Sequence, residues 1–238
     1  MTEFEKWLNS PVVDDATKAE LKEIENNSDE IFEIAKKYGT PLYLMDENRI
    51  RYNCRTYLKA MNEFFGEGSK PLFASKACCF KRIYEIMAEE GMAIDLVSPG
   101  EVYTALKANF PMERSFFHGN NKTDEDIAFA MDAGVGFFIV DSLFELDAIQ
   151  AEAEKRGIVQ NVLLRLTPGI DPHTYEAVAT GKVDSKFGSA IETGQAMEIV
   201  KLALGQPHIH LSGFHCHIGS QIFDTDPFSE AADIMVKF

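Results

Sequence analysis

Lys76 closes a short apolar run, Pro71-Leu72-Phe73-Ala74-Ser75-Lys76, and Ala77, Cys78 and Cys79 follow it. An ammonium group at the C-terminal end of a buried strand is poorly solvated. Partial desolvation lowers an amine's pKa and frees its lone pair to form a Schiff base with an aldehyde. The competing reading is a lysine that snorkels to solvent at a strand end. Other strand ends supply more polar groups: Asp95 with Ser98, His118 with Asn120 and Asn121, Asp141, Arg165, His215, His217 and Ser220. Asp141 and Ser98 read first as helix caps. Asn120 and Asn121 read as turn formers, and His118 as either a satisfied strand-end histidine or a site residue.

His215 and His217 stand at i and i+2, so on one strand they share a face. Two imidazoles at that spacing can bind zinc, but a catalytic zinc needs a third protein ligand. No carboxylate stands in a ligand-spaced motif, so no metal is expected. One imidazole can instead serve as a flat platform for an aromatic ring. Gly219-Ser220 comes directly after, where a close backbone and a hydroxyl suit a phosphate. A lysine for an aldehyde, a platform for a ring and a turn for a phosphate point to pyridoxal 5′-phosphate. Thr180-Gly181-Lys182 and Ser185-Lys186-Phe187-Gly188 form a further glycine-punctuated polar loop, which reads equally as ordinary surface.

The elements that must position these groups show in the spacing. Apolar runs end near Lys76, Val97, His118, Val140 and Leu166, roughly 21 to 26 residues apart, the rhythm of parallel strands joined by crossover helices. Ser98-Pro99-Gly100-Glu101 is a capping box with proline at the first helical position. Thr123-Asp124-Glu125-Asp126 opens the next helix and Gly134 closes it. Asp141-Ser142 opens another that ends at Gly157, and Thr193 and Gly205 bracket a further one. Asp226-Pro227-Phe228-Ser229-Glu230 starts the last. The first strand–helix turn carries no G-x-G-x-x-G, which counts against a dinucleotide-binding open sheet and favours a (β/α)8 TIM-like barrel. Residues 1–40 read as a helical lead-in stopped by Gly39 and Pro41. Residues 41–238 read as the barrel, with about six strand–helix units rather than eight. An incomplete barrel leaves sheet edges open, so the chain is expected to be part of a longer protein.

The 238 residues are 45% hydrophobic and 26% charged, enough for one sizeable core. A net charge of −15 argues against nucleic acid or an anionic membrane as partner. No apolar run is long enough for a membrane helix, and the first residues lack the features of a signal peptide. Cys54, Cys78, Cys79 and Cys216 form no C-x-x-C pair, so reduced thiols and a cytoplasmic location are expected.

Six motifs, in order, carry a resemblance from about Thr40-Pro41-Leu42-Tyr43 onward. They are Phe73-Ala74-Ser75-Lys76-Ala77, Asp95-Leu96-Val97-Ser98-Pro99-Gly100-Glu101, His118-Gly119-Asn120-Asn121-Lys122, Leu164-Arg165-Leu166-Thr167-Pro168-Gly169, Asp184-Ser185-Lys186-Phe187-Gly188 and Gly213-Phe214-His215-Cys216-His217-Ile218-Gly219-Ser220-Gln221. The chain resembles the diaminopimelate decarboxylases, which belong to the group IV, fold-type III pyridoxal-phosphate decarboxylases. The resemblance implies a barrel of the alanine racemase type followed by a β-sandwich domain, assembled as a homodimer with shared sites. It implies that Lys76 is the catalytic lysine that forms the Schiff base with the cofactor. Asp95 and Arg165 would lie close beneath the cofactor, His217 would stack on its ring and Ser220 would contact its phosphate. The implied reaction is decarboxylation of meso-2,6-diaminopimelate to L-lysine, the last step of lysine biosynthesis. The His-x-His-Ile-Gly-Ser-Gln string favours this branch over the ornithine branch. Family members run to about 400 residues, a multi-domain size. Their Glu-Pro-Gly-Arg segment, second glycine-rich phosphate loop and C-terminal cysteine and tyrosine have no counterpart in this sequence. The 238 residues alone are therefore expected to be inactive. The rival readings are a decarboxylase of ornithine, arginine or carboxynorspermidine, and a non-catalytic pyridoxal-phosphate-binding barrel.

Overall fold

The computed structural model describes residues 6, 7, 10, 13, 15–170 and 187–238. The motif pieces Thr180-Gly181-Lys182 and Asp184-Ser185-Lys186 lie outside these. The chain divides into two compact units, residues 1–48 and 49–238. In the first, α1 (Asp15–Asn26) and α2 (Ser28–Tyr38) are described. Gly39 ends α2 at φ 84° and donates its N–H to Ala35 O at 2.8 Å, the helix stop that the sequence marks.

Helix α3 (Glu47–Phe65) leads into the second unit. Strand–helix alternation follows: β1 (Leu72–Ala74), α4 (Lys81–Glu90), β2 (Ala93–Leu96), α5 (Pro99–Lys107), β3 (Ser115–Phe117), α6 (Asp124–Asp132), β4 (Phe137–Val140), α7 (Leu143–Arg156) and β5 (Gln160–Thr167). Then come β6 (Ser189–Ala190), α8 (Gln195–Gly205), β7 (Ile209–His215) and α9 (Asp226–Lys237). The strands pair in parallel in the order β1-β2-β3-β4-β5-β6, with β7 also on β5. This is the parallel, barrel-type α/β architecture expected. Among the described residues β1 and β7 do not pair with each other, so the sheet is open there.

The helices begin where their caps dictate. Glu101 N–H donates to Ser98 Oγ at 3.3 Å, and Glu101 Oε2 accepts Val97 N–H at 2.6 Å. Ser142 and Glu145 repeat the arrangement at α7, with Glu145 Oε2 accepting Asp141 N–H at 3.0 Å. Thr123 and Asp126 close a reciprocal capping box at α6. Two cap expectations are corrected. The α7 cap is Ser142, not Asp141, whose carboxylate turns toward Arg165 instead. Gly194, in the left-handed region at φ 84°, rather than Thr193, precedes α8. Gly205 ends that helix as expected.

The core lies where the helices cover the middle strands. Ile94, Leu96, Phe138, Val140, Val162 and Leu164 from the sheet pack with Val102, Leu146 and Ile149 from the helices. Each such side chain contributes about 1.5–3 kcal/mol relative to exposure. Gly136, at the entry to β4, is required by close packing: a Cβ there would meet Glu113 O at 2.2 Å. Arg51 pairs with both Glu89 and Glu90, and Arg55 with Glu90, tying α3 to α4. All four cysteines are free thiols.

Candidate active site

Lys76 sits in a single 3-10 turn, Ser75–Ala77, directly after β1. The turn buries Ser75 but leaves Lys76 exposed. This corrects the expectation of a desolvated lysine. Strand β1 has only β2 as a strand neighbour among the described residues, so its outer edge pairs with no described strand. The ammonium still acts on the groups beside it: its positive charge reaches Asp95, Glu101, His118 and His217.

Asp95 lies one strand further in, opposite Ala74 of β1 and Phe116 of β3. Burial pushes its carboxyl up to about 7, against the pull of Lys76. Its Oδ1 is buried and accepts no hydrogen bond. His118 follows β3, and its N–H donates to Leu96 O at 2.7 Å. Its Nε2 is 3.6 Å from Asp95 Oδ1, beyond hydrogen-bond range. Burial, with His215 and Lys122 nearby, pulls His118 down to about 2, so the ring is neutral and the contact is no ion pair.

His215 ends β7 and meets His118 edge to face, with centroids 4.8 Å apart and an interplanar angle of 77°. Burial pulls it down to about 4, and its Nδ1 is buried without a partner. His217 stands two residues past the strand end and is exposed, with its imidazole held below the usual range by burial, Arg165 and Lys76. The shared-face reading of the two histidines therefore fails, because the strand stops at the first. Among the described residues no group of three or more His, Cys, Asp or Glu is arranged to hold a metal. Ser220 is exposed beyond buried Ile218.

Arg165 stands on β5 in register with His215. Burial pulls its guanidinium down, and Asp141 opposes that. Its Nη1 is 3.3 Å from Asp141 Oδ1, and its guanidinium lies 4.5 Å from the Phe187 ring centroid. Gly188 lets the backbone pass close by: at φ 68°, a Cβ there would meet Arg165 O at 2.9 Å. Behind Asp141 sits a buried ion pair. Lys122 Nζ donates to Glu145 Oε1 at 2.6 Å, Gly119 O at 2.7 Å and Ile139 O at 2.8 Å. Burial pulls Lys122 down and pushes Glu145 up, and their mutual contact opposes both shifts.

The structure thus gathers Lys76, Asp95 and Arg165 at the C-terminal ends of β1, β2 and β5, with His217 and Ser220 beyond β7. Sequence reasoning missed Glu101, Lys122 and Glu145 and underrated Asp141. The repeated Ser-x-x-Glu at 98–101 and 142–145 was the available signal. The set fits a polar cofactor on the structure's own evidence. Asp95 Oδ1 and His215 Nδ1 are buried atoms without hydrogen-bond partners, and Asp141 Oδ1 has only its 3.3 Å ion pair with Arg165. Buried polar atoms ordinarily find partners, and a ligand with acceptors, donors and a ring supplies them.

Relatives place this geometry. The model of the "Pyridoxal-dependent decarboxylase, pyridoxal binding domain" matches residues 47–238. The diaminopimelate decarboxylase of Bacillus methanolicus is 42% identical over 200 residues, covering 84% of this chain and 46% of that protein. That of Bacillus subtilis is 42% identical over 206 residues, covering 86% and 46%. The chain spans about half the length of the curated relatives it matches. Among solved structures, diaminopimelate decarboxylase of M. jannaschii in complex with L-lysine superposes with a TM-score of 0.76 at 38% identity, covering 87% of this chain and 48% of that one. The Helicobacter pylori enzyme with L-lysine gives 0.78 at 31%, covering 87% and 51%. The chain belongs to the pyridoxal-dependent decarboxylase family, and residues 47–238 are its pyridoxal-binding domain.

Proposed function

We propose that the protein containing this chain decarboxylates meso-2,6-diaminopimelate to L-lysine and CO2, with Lys76 anchoring pyridoxal 5′-phosphate. The observation that carries the reading is the pair of buried polar atoms without partners, Asp95 Oδ1 and His215 Nδ1, toward the C-terminal strand ends where Lys76 also stands. The 42% identity to named diaminopimelate decarboxylases supports the substrate. Bound pyridoxal phosphate supplies an electron sink for the pair left behind when CO2 departs.

The chain's own residues would do the rest. Lys76 offers a solvent-accessible amine within electrostatic reach of Asp95. Asp95, held near 7 by burial, can keep or release a proton close to neutral pH. The neutral rings of His118 and His215 present polar edges without adding charge. Arg165, fixed by Asp141, supplies a cation beneath the site. His217 would stack on the ring and Ser220 would hold the phosphate, as the family resemblance implies. On this reading residues 41–238 form the cofactor-binding barrel and 1–40 a lead-in. Assembly as a homodimer and a cytoplasmic location belong to the same proposal; among the described residues no helix is long and apolar enough to cross a membrane.

The test is product analysis with the intact protein and cofactor. Lysine from meso-diaminopimelate is expected. Putrescine from ornithine, agmatine from arginine or a polyamine product instead would move the protein to another branch, and no product with bound cofactor would make it a binding barrel.

A further inference from the structure

The reading above leaves one buried cluster without a task. Lys122 and Glu145 are side chains only 2% and 6% exposed, one from the loop after β3 and the other from the first turn of α7. Each of the three Lys122 protons has an acceptor, and each Glu145 oxygen has a donor. Taking two charges out of water is costly, and an apolar pair of similar volume often serves the fold as well.

The matching turn before α5 shows that capping alone does not need the lysine. Glu101 does at α5 what Glu145 does at α7: it accepts the N–H of the residue before the cap serine, at 2.6 Å against 3.0 Å. No lysine bonds to Glu101 in the described contacts, and the helix starts in the same way. The difference lies in what precedes the serine. At α5 it is Val97. At α7 it is Asp141, whose carboxylate lies 3.3 Å from Arg165.

We propose that Lys122 and Glu145 are positioning residues for the cofactor site, acting through Asp141 on Arg165. The inference rests on the pyridoxal-phosphate reading. Lys122 ties Gly119 after β3 to Ile139 on β4 and to Glu145 on α7. Glu145 in turn fixes the Asp141 N–H, which sets where the Asp141 carboxylate stands. Arg165 then meets a carboxylate whose backbone is fixed by Glu145 rather than one on a free turn. The pair touches no reacting group itself.

The experiment is a double-mutant cycle on the full chain, read as the pyridoxal-phosphate dissociation constant, with thermal melting recorded for each variant without cofactor. Glu145→Gln is expected to weaken cofactor binding about tenfold in the wild-type background and to add little once Asp141→Asn is present. Additive losses would overturn positioning through Asp141. Because Glu145→Gln leaves Lys122 with a weakened partner, a second variant guards against simple misfolding. The double replacement Lys122→Met/Glu145→Leu removes both charges and is expected to recover much of the melting temperature while leaving cofactor binding weak. Recovery of both melting and affinity would make the pair structural only and sink the proposal. Borohydride trapping at Lys76 in the wild-type chain separates the two levels. Trapping at Lys76 with additive variants fails this inference alone. No cofactor uptake by the wild type fails the underlying reading and takes this inference with it.

Discussion

Strands β1 and β2 lie side by side and are both short, yet they live in different surroundings. Ala93, Ile94 and Leu96 of β2 are fully buried, while Leu72 of β1 is 39% exposed. The other margin behaves like β1: along β7, His210 and Ser212 are exposed, and Phe223 beyond it is 95% exposed. The middle strands have hydrogen-bonded neighbours on both sides, with helices α5 to α7 against them. The margins have one described neighbour. The same division runs through the candidate site. Its central members, Asp95, His118, Asp141 and Arg165, are largely buried, and burial leads every shift resolved for them. Its marginal members, Lys76, His217 and Ser220, are exposed. One half of the site is thus already desolvated by this chain's own packing, and the other half stands in solvent.

The largest contrast should come from two lysines. Lys76→Met removes an exposed side chain and is expected to abolish borohydride trapping of pyridoxal phosphate while moving stability by less than about 0.5 kcal/mol. Peptide mapping of the wild type should place the label on Lys76. A label on Lys122 would reverse the comparison, since that ammonium is enclosed by three acceptors. Lys122→Met leaves Glu145 as an unpaired buried charge and is expected to cost about 3–5 kcal/mol in urea unfolding. A cost near zero would mean that the interior around α7 is wetter than its packing indicates.

What the sequence made legible, and what it hid, follows the same line. Strand ends near Val97, His118 and Val140, the Ser98 cap and the Thr123–Asp126 box are local patterns and stand where expected, whereas Glu101 accepts the Val97 N–H instead of closing a box on Ser98. Lys76, Asp95 and Arg165 were readable because strand ends on one side of a parallel sheet converge. The Lys122–Glu145 pair was not, because its partners are 23 residues apart and only the fold joins them. Asp141 was misread because adjacent aspartate and serine compete equally for a cap, and burial beside Arg165 decides between them. The exposure of Lys76 depends on which strand lies at a margin, which no local pattern encodes. His215 and His217 share a face only while a strand lasts, and this one ends between them.

Acidity should separate two central groups with opposite signs. An unfolded histidine binds its proton near 6.5, whereas folded His118 does so only near 2. Between those values the unfolded chain holds more protons, so this group's contribution is lost as pH falls below about 6.5. Asp95 runs the other way. Its unfolded value is near 3.8 and its folded value near 7, so the folded chain holds the extra proton and stability falls as pH rises through that interval. In cofactor-free protein the two partly offset each other. His118→Asn should leave a stability that declines more steeply from acid toward neutral pH, and Asp95→Asn one that declines more steeply toward acid. Urea midpoints between about pH 4 and pH 8 read both slopes. Equal profiles for the two variants would show that neither group is dry.

The smallest effect is expected at the outer margin. Phe223 contributes almost nothing to the packing of this unit, so Phe223→Ser should change stability by no more than about 0.5 kcal/mol. Its consequence should lie in association instead. Phe223, Phe228 and Val236 are all exposed and leave apolar area facing water, and Phe228 also lines a cavity with Phe214, Ile218 and Met235. Apolar area of this kind favours self-association. Sedimentation of the 238-residue chain should therefore show less concentration-dependent association for Phe223→Ser than for the wild type, at an unchanged urea midpoint. If the midpoint falls instead by as much as for a central residue such as Leu164→Ala, about 2–5 kcal/mol, the margin is packed in solution and the contrast with the middle strands does not hold.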